Sequence, residues 1–227
     1  MRSDRAGNAL ALLAALVAII WACVVLAGCS SGSKKTPGEE RSAAAITGVK
    51  DTRTELAAGR GQIDRTVAAM NAMRDGQGNL QTEFATFNDE IKKSDAQAEK
   101  TRARAADMRA RSGQYQTKWR EEMSNVEDPA LRAAATTRAN MVRERFDEIK
   151  DKADEARAAY EPFMRQLKSV QTYLSNDLTP AGVQSASAVF DKATADAKVV
   201  TQKIDAVIAE LDNVASSLTP TGAAPAK

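Results

Sequence analysis

The sequence predicts an all-α protein whose helices form an elongated antiparallel bundle of the coiled-coil type. Beyond residue 38 the chain consists mainly of Ala, Glu, Asp, Lys, Arg and Gln, a composition typical of long helices. Apolar residues recur three and four positions apart along four stretches, which puts them on one face of each helix. Turn and capping residues separate these stretches. Together these features predict a helical bundle over residues 39–218, followed by a disordered tail over residues 219–227.

Residues 1–28 have the three zones of a bacterial lipoprotein signal peptide. A start with two arginines precedes an apolar run over residues 9–26, and small residues follow. The Leu-Ala-Gly that directly precedes Cys29 resembles the lipobox, in which the cysteine receives a lipid and becomes the first residue of the mature protein. We therefore expect Cys29, and not Cys23, to be lipidated. Residues 29–38, rich in Ser, Gly and Lys, are expected to form a flexible tether.

An uncleaved transmembrane helix is the alternative for this N-terminus, because the apolar run is close to the roughly 18 residues at which spanning becomes possible. The tether-like composition after Cys29 favours the lipoprotein. Two or more acyl chains anchor a protein stably, so the first expected partner is a membrane. Ser30, rather than Asp, follows the cysteine, which resembles an outer-membrane address in a source with two membranes. The expected location is therefore extracytoplasmic, on the periplasmic face.

The boundaries of the helices follow from capping and turn residues. Asp128 and Thr179 each precede a proline, an order that puts a capping side chain before the first helical position. Residues 75–79 include two glycines and have the chemistry of a turn. Short connections make neighbouring helices antiparallel, so the expected order is up-down-up-down. The predicted helices are residues 40–75, 79–125, 129–176 and 180–218.

The apolar seams of the last two helices are the most regular. The seam of the final helix runs from Val183 to Leu218 without a miss, and that of the third runs from Ala135 to Leu174. Pro162 lies inside the third helix, where it is expected to introduce a kink.

The seams of the first two helices are less strict and allow a second arrangement. Their heptad phase continues from Met70 to Phe84, so residues 40–125 would form one long rod and the bundle would have three helices. We favour four helices, because Gly76 and Gly78 would each destabilise a continuous helix by about 1 kcal/mol. The second helix also carries small residues on its seam, which are expected to let helices approach closely: Ser94, Ala98, Thr101, Ala105 and Ser112.

The residue content argues against most catalytic and metal sites. The chain has no histidine, and both cysteines lie in the first 30 residues. Catalytic triads, thiolate metal sites and disulfides in the body are therefore excluded. Paired carboxylates such as Glu121 and Glu122 lie off the seam, as expected of a solvated helix face. We expect a protein that is not an enzyme and that needs no metal or cofactor. Catalysis by carboxylates alone would require a cleft lined by buried acids.

One segment of the second predicted helix, which we call the basic window, has an excess of positive charge. Asp107 is the one acid within it, and the window is expected at the far end of the helical hairpin, near Tyr115 and Trp119. Such a surface is suited to anionic lipid head groups, acidic envelope polymers or an acidic protein. The alternative is an ordinary Arg-rich face whose acids come from other helices. The window consists of Lys100, Arg102, Arg104, Arg109, Arg111, Lys118 and Arg120.

Several short motifs between Val49 and Val189 resemble an uncharacterised bacterial family, the domain of unknown function 2959. The most specific is Leu167-x(5)-Tyr173-Leu174-Ser175-Asn176-Asp177-Leu178, at the expected turn between the last two helices. The others are Val49-Lys50-Asp51-x-Arg53, Trp119-x-x-Glu122, Leu131-Arg132 and Tyr160-x-Pro162. The resemblance implies an all-helical, exported or lipid-anchored protein and transfers no active-site residues.

The sequence therefore leads to two hypotheses for function. The first is a lipid-anchored coiled-coil scaffold or protein-interaction module of the cell envelope, with an unidentified envelope protein or polymer as its partner. The second is direct binding of anionic lipid or polymer by the basic window, held about 70 Å from the anchor so that the protein bridges two layers. Self-association is also possible for a coiled coil, and an exported protein is not expected to bind nucleic acid.

Overall fold

The computed structural model describes residues 35–76 and 78–219; the predicted signal peptide, Cys29, most of the tether and the tail from residue 220 onwards lie outside these residues. Pro37–Lys227 forms one compact unit. The described residues are helical throughout apart from short connections, which confirms the all-α class. The helices are α1 (Pro37–Asp75), α2 (Leu80–Ser124), α3 (Pro129–Asn176), α4 (Pro180–Ser185) and α5 (Ser187–Leu218).

Local capping interactions explain where the long helices begin. The side chains of Asn79 and Asp128 accept hydrogen bonds from the amides of Thr82 (3.1 Å) and Leu131 (2.9 Å), which satisfies a free N–H at the start of α2 and of α3. Gly76 follows α1 with a φ of 62°, a left-handed conformation that ends a helix. The arrangement with four long helices is therefore confirmed over the single rod.

Ion pairs between helices show that neighbours are antiparallel. Along α1 the residue numbers rise while those of the α5 partners fall, and the three pairs keep one register: Arg53–Asp212, Arg60–Asp205 and Arg74–Asp191. The indole Nε1 of Trp119 donates to the carbonyl of Ala135 (3.2 Å), while the hydroxyl of Tyr160 donates to the carbonyl of Ser94 (3.0 Å), so α2 and α3 are also antiparallel. In the bundle, α1 packs against α2 and α5, and α3 packs against the same two helices.

The expected last helix, residues 180–218, is in fact two helices. Ala186 separates α4 from α5, and its amide lies within hydrogen-bonding distance of the carbonyls of both Gly182 and Val183. An amide shared between the carbonyls three and four residues before it interrupts the regular i to i−4 hydrogen bonding of an α-helix. The seam continues across the break, because Val183, Ala186 and Phe190 are all buried. The heptad pattern therefore does not predict the break between α4 and α5.

The core follows the predicted seams closely. Every seam position of the final predicted helix, from Val183 to Leu218, is buried, and so are most of those on α3. Phe87, Phe163 and Phe190 are fully buried and lie towards the same end of the bundle. Three phenylalanines thus fill the core towards the end of the bundle that contains the turn at Gly76. No helix of the described residues is long and apolar enough to cross a membrane.

Helices α1 and α2 approach each other closely at Gly48. A Cβ added to this glycine would lie 3.3 Å from the Cα of Met108 and 2.9 Å from the Arg111 side chain. Nearby, the hydroxyl of Thr52 donates to the carbonyl of Arg104 across the same contact (3.2 Å). A helix pair this close depends on small residues, as was expected for the α2 seam.

Candidate functional site

The basic window does not form one surface. Lys100 and Lys118 are 18 residues apart, a whole number of helical turns, so they lie on the same side of α2. Arg102 and Arg120 have the same spacing but start two positions later, which moves them to the opposite side. The window is therefore divided between two flanks of α2, one towards α1 and one towards α3.

Acids occupy much of the flank that faces α1. The guanidinium of Arg104 lies 4.0 Å from the carboxylate of Glu55 on α1, and Arg111 pairs with Asp107 at 2.7 Å. Lys100 and Lys118 are exposed. This flank fits the alternative reading, in which neighbouring acids balance an Arg-rich face.

The flank that faces α3 contributes arginines to a cleft between the two helices. Arg102 pairs with Glu99 on its own helix, and Arg109 is exposed at the cleft. Arg120 lies farther along α2, where its Nε donates to the carbonyl of Gln116 (3.5 Å). The structure thus brings Arg102 and Arg109 together and leaves Arg120 apart.

The C-terminal part of α2 lies at the same end of the bundle as the beginning of α1. Arg41, in the second turn of α1, forms an ion pair with Glu122, near the end of α2. The prediction that the basic window projects about 70 Å from the start of the first helix is therefore wrong. That prediction fits a single rod over residues 40–125, and the turn at Gly76 reverses the chain instead.

This end of the bundle also carries as many acidic as basic side chains. Between residues 35 and 46 and between residues 113 and 144, the basic residues are Lys35, Arg41, Lys118, Arg120, Arg132, Arg138 and Arg143, and the acidic residues are Glu39, Glu40, Glu121, Glu122, Glu127, Asp128 and Glu144. The charges balance, so the end has no net positive field to attract a polyanion.

The predicted aromatic residues of the window serve a structural role. Arg41 is buried, and its guanidinium carbon lies 4.7 Å from the ring centre of Trp119 and 5.2 Å from that of Tyr115. A cation over aromatic faces is stabilised by their quadrupoles. Together with the Glu122 ion pair, this contact joins α1 to α2 at the end of the bundle.

At the same end of the bundle, α1, α2 and α3 form a stretch that α5 does not reach. The register of α1 with α5 brings Leu218, the last residue of α5, opposite Thr47. Residues 37–46 of α1 therefore extend beyond α5. At this end of α3, Leu131 is 63% exposed and Met141 is 60% exposed. Among the described residues, no helix covers Leu131.

A cavity of about 210 Å³ lies in the middle of the bundle, and sequence reasoning did not find it. All four long helices line it, through small or apolar residues such as Gly59 on α1, Ala98 and Ala105 on α2, and Ala153 on α3. The exposed residues of its lining, Arg102, Arg109, Asp154 and Arg157, all belong to α2 and α3, so its mouth opens between these two helices. The small-residue seam that packs α2 against α1 therefore leaves space on the side of α3. The small residues of this seam are the feature of the sequence that indicates the cavity, although in Sequence analysis they predict only a close approach of helices.

A buried polar layer lies directly beside the cavity. Gln62 donates to the carboxylate of Glu90 (2.7 Å), and the hydroxyls of Thr66 and Ser94 are 2.8 Å apart. The hydrogen bond from Lys93, assisted by that from Gln62, holds the pKa of Glu90 below its ordinary value of 4.5. Burial raises the pKa of Tyr160, whose hydroxyl closes the layer by bonding to the carbonyl of Ser94. At neutral pH Glu90 is therefore ionised and Tyr160 is neutral, and both are hydrogen-bonded within the layer.

A family model described as a protein of unknown function, DUF2959, matches residues 32–218. The chain belongs to this family. The match covers every described helix of the DUF2959 bundle and extends five residues before α1. No curated protein and no solved structure matches the chain.

In this DUF2959 protein, the motif of highest specificity forms a compact corner between α3 and α4. The Thr179 hydroxyl accepts from the amide of Gly182 (3.0 Å) and donates to the carboxylate of Asp177 (2.8 Å). Any Cβ at position 182 would collide with the carbonyl oxygen of Asp177. These contacts give Asp177 of the motif a role in folding, whereas Tyr173 of the motif is 41% exposed. Within the described helices, no group of three or more acidic side chains is arranged to hold a metal ion.

Proposed function

We propose that this DUF2959 protein is a lipid-anchored, non-catalytic interaction module of the bacterial cell envelope. In this proposal, a helix of an envelope protein docks on the three-helix end of the bundle, between α1 and α3. The single observation that carries the proposal is the 63% exposure of Leu131, although this leucine stands in register with the buried core of α3.

The register of Leu131 supports docking of a helix in particular. It precedes Val142 by 11 residues and Ile149 by 18 residues, both close to whole numbers of helical turns. Val142 and Ile149 are buried, so Leu131 lies on the core-facing side of α3, at a level of the bundle that α5 does not reach. An apolar side chain at a core position in a coiled coil is suited to a helix that packs in that line.

In this proposal, the anchor on Cys29 is close in sequence to the end of the bundle that carries this surface. Pro37 lies eight positions after Cys29, and an extended chain of eight Cα–Cα steps spans at most about 28 Å. A lipid on Cys29 would therefore keep the start of α1, and with it Leu131, near the membrane. The proposal of a non-catalytic role rests on the absence of histidine from the chain and of cysteine from its body.

In-cell photocrosslinking tests the docking surface. We expect a benzophenone amino acid at position 131 to give one reproducible adduct of defined mass. The matched control is position 133, because Ala133 is exposed on the outer face of the same turn. We expect Leu131→Glu to prevent co-purification of the adduct's partner, whereas Ala133→Glu leaves it unchanged, since a buried carboxylate opposes packing.

Three results would count against docking of a separate protein. They are equal adducts at positions 131 and 133, an adduct with the mass of a second copy, and an intramolecular adduct to residues 220–227. The second would show self-association, and the third would show that the chain covers its own seam.

The anchor is tested separately. Globomycin, which inhibits lipoprotein signal peptidase, and the Cys29→Ser substitution should each leave an unprocessed precursor in membranes. Normal processing of the Cys29→Ser variant would contradict lipidation, while leaving the docking result intact.

A further inference from the structure

We propose that the central cavity is a binding site for a single-chain anionic amphiphile, such as a medium-chain carboxylate. The alkyl chain would lie in the bundle and the head group at the mouth between α2 and α3. This inference rests on the cavity and its rim, and it does not depend on the docking proposal.

The size and walls of the cavity suit an alkyl chain. A protein cavity of about 150 Å³ can bind benzene, so about 210 Å³ holds roughly six to seven carbons of an alkyl chain, and the open mouth leaves room for the rest of a longer chain. Leu56, Ile63, Met108 and Val207 provide apolar surface from three different helices. Filling such a space removes apolar surface from water, which is the main source of affinity in pockets of this kind.

The polar residues that line the cavity are already bonded elsewhere. The hydroxyl of Thr101 donates to the carbonyl of Gln97, and that of Thr52 lies within hydrogen-bonding distance of the carbonyls of both Gly48 and Arg104. The amide of Gln97 donates to Glu55 (2.8 Å). These side chains therefore present carbon rather than free donors to the interior. A polar ligand would find few partners inside the cavity, so the interior selects for an apolar chain.

Charge at the mouth selects the head group. Arg102, Arg109 and Arg157 line the opening, with Asp154 as the acid among them. Arg102 is paired with Glu99 and Arg157 with Glu161, so the selection of the head group rests on Arg109. The amine of Lys150 lies 2.9 Å from the carboxylate of Asp154, which neutralises that acid. Within the described part of the chain, Arg109 has no ion pair within 4.0 Å, although its charge contributes to lowering the pKa of Asp154. An arginine free of close acids at an apolar opening favours a carboxylate or sulfonate over a cation.

Photoaffinity labelling of the full-length protein tests the site. The probe is decanoic acid with a diazirine near the end of its chain, and mass spectrometry locates the modified residues. We expect insertion within residues 94–108 of α2 and residues 149–160 of α3. An excess of decanoate should suppress the labelling at least tenfold, whereas decyltrimethylammonium at the same concentration should change it by less than twofold.

A matched pair of substitutions on α2 separates the cavity from the surface. Ala105 lines the cavity, while Ala103 is exposed on the same helix. Ala105→Leu should reduce labelling at least tenfold, because the larger side chain fills the space, and Ala103→Leu should leave it within twofold. Arg109→Gln should weaken labelling by the carboxylic acid about fivefold and leave labelling by the corresponding diazirine alcohol unchanged.

Circular dichroism and thermal unfolding establish whether each variant folds. If Ala105→Leu does not fold, Ala98→Leu with its exposed control Ala96→Leu replaces the pair. The proposal would be overturned by labelling spread over the outer surface, by undiminished labelling in the folded cavity-filling variant, or by equal competition from decyltrimethylammonium.

Discussion

At the scale of single residues, Glu90 is a buried charged group that is paired rather than free. Glu90 is 8% exposed, yet its carboxylate accepts from Gln62 and lies 2.9 Å from the amine of Lys93. A buried carboxylate with these partners is stabilised in its charged form. Acid should therefore act on the bundle through Glu90.

We predict that Glu90→Gln flattens the acid side of the stability profile. Because the pKa of Glu90 is below 4.5 when folded, its contribution is present above that pH and is lost as pH falls through the folded pKa. Urea unfolding should show the variant about 1 kcal/mol less stable at pH 7, with the difference shrinking towards about pH 3. Glu161→Gln, at an exposed ion pair with Arg157, is the control. Parallel wild-type and Glu90→Gln profiles from pH 7 to pH 3 would contradict the prediction.

A second prediction concerns Arg41, which is buried under two aromatic rings. Arg41→Gln removes the cation–π contacts and the Glu122 ion pair, so we expect the free energy of unfolding to fall by about 1–2 kcal/mol. Arg132→Gln changes an exposed arginine near the same end and should stay within about 0.5 kcal/mol of wild type. Equal effects of the two substitutions in urea titrations would show that Arg41 has no special role.

At the scale of helices, the close contact of α1 with α2 depends on Gly48. Leucine at this position would meet the backbone of Met108, whereas Gly113 has nothing within 4 Å of an added Cβ. We predict that Gly48→Leu lowers the free energy of unfolding by about 1–3 kcal/mol, because overpacking moves the helices apart. Gly113→Leu should raise it by up to about 1 kcal/mol through helix propensity. Calorimetry of both variants measures these changes. An unchanged free energy of unfolding in Gly48→Leu would contradict the prediction.

The arrangement of the helices also shows which features of the fold the sequence predicts and which it does not. The heptad seams predicted the four long helices and nearly all of the core, because burial on a helix follows a fixed period. They could not predict the break at Ala186, where the buried phase continues through the corner. They also could not predict the cavity, since Gly59, Ala105 and Ala153 belong to three helices and meet only through tertiary packing.

Charge was the least predictable feature from sequence. The basic window counted acids only along its own segment, while Glu55 from α1 and Asp154 from α3 lie beside it in the bundle. The end of the bundle at which the window lies was also predicted wrongly, because that depends on how many times the chain reverses. Lipidation of Cys29 and docking of a partner helix at Leu131 stay predictions.

At the scale of the whole molecule, the antiparallel order makes the two ends of the bundle different. One end contains the start of α1, the connection from α2 to α3 and the end of α5; the other contains the turn at Gly76 and the short α4. The distance along α2 between the two ends is about 65 Å. This is more than twice the roughly 28 Å that the chain from Cys29 to Pro37 can span.

We predict that a lipidated protein keeps the first end near the membrane. In vesicles whose head groups carry a quencher, a fluorophore at exposed Glu127 should be quenched several-fold more than one at exposed Gln81. A protein of residues 30–227, which has neither the signal peptide nor Cys29, is added to the same vesicles as the control and should show no difference. Stronger quenching at position 81 would contradict this orientation.

The antiparallel register of α1 and α5 also has a mechanical consequence. If one end is fixed in a membrane and a load pulls on the opposite end, the force runs along the helix axes. The three α1–α5 ion pairs and the seam beneath them would then be loaded together, in shear, instead of one after another as in peeling. Contacts loaded in parallel share the force. We therefore expect single-molecule pulling between residue 38, at the start of α1, and residue 188, at the opposite end of the bundle on α5, to require a higher rupture force than pulling between residues 38 and 218, where α1 and α5 separate from one end.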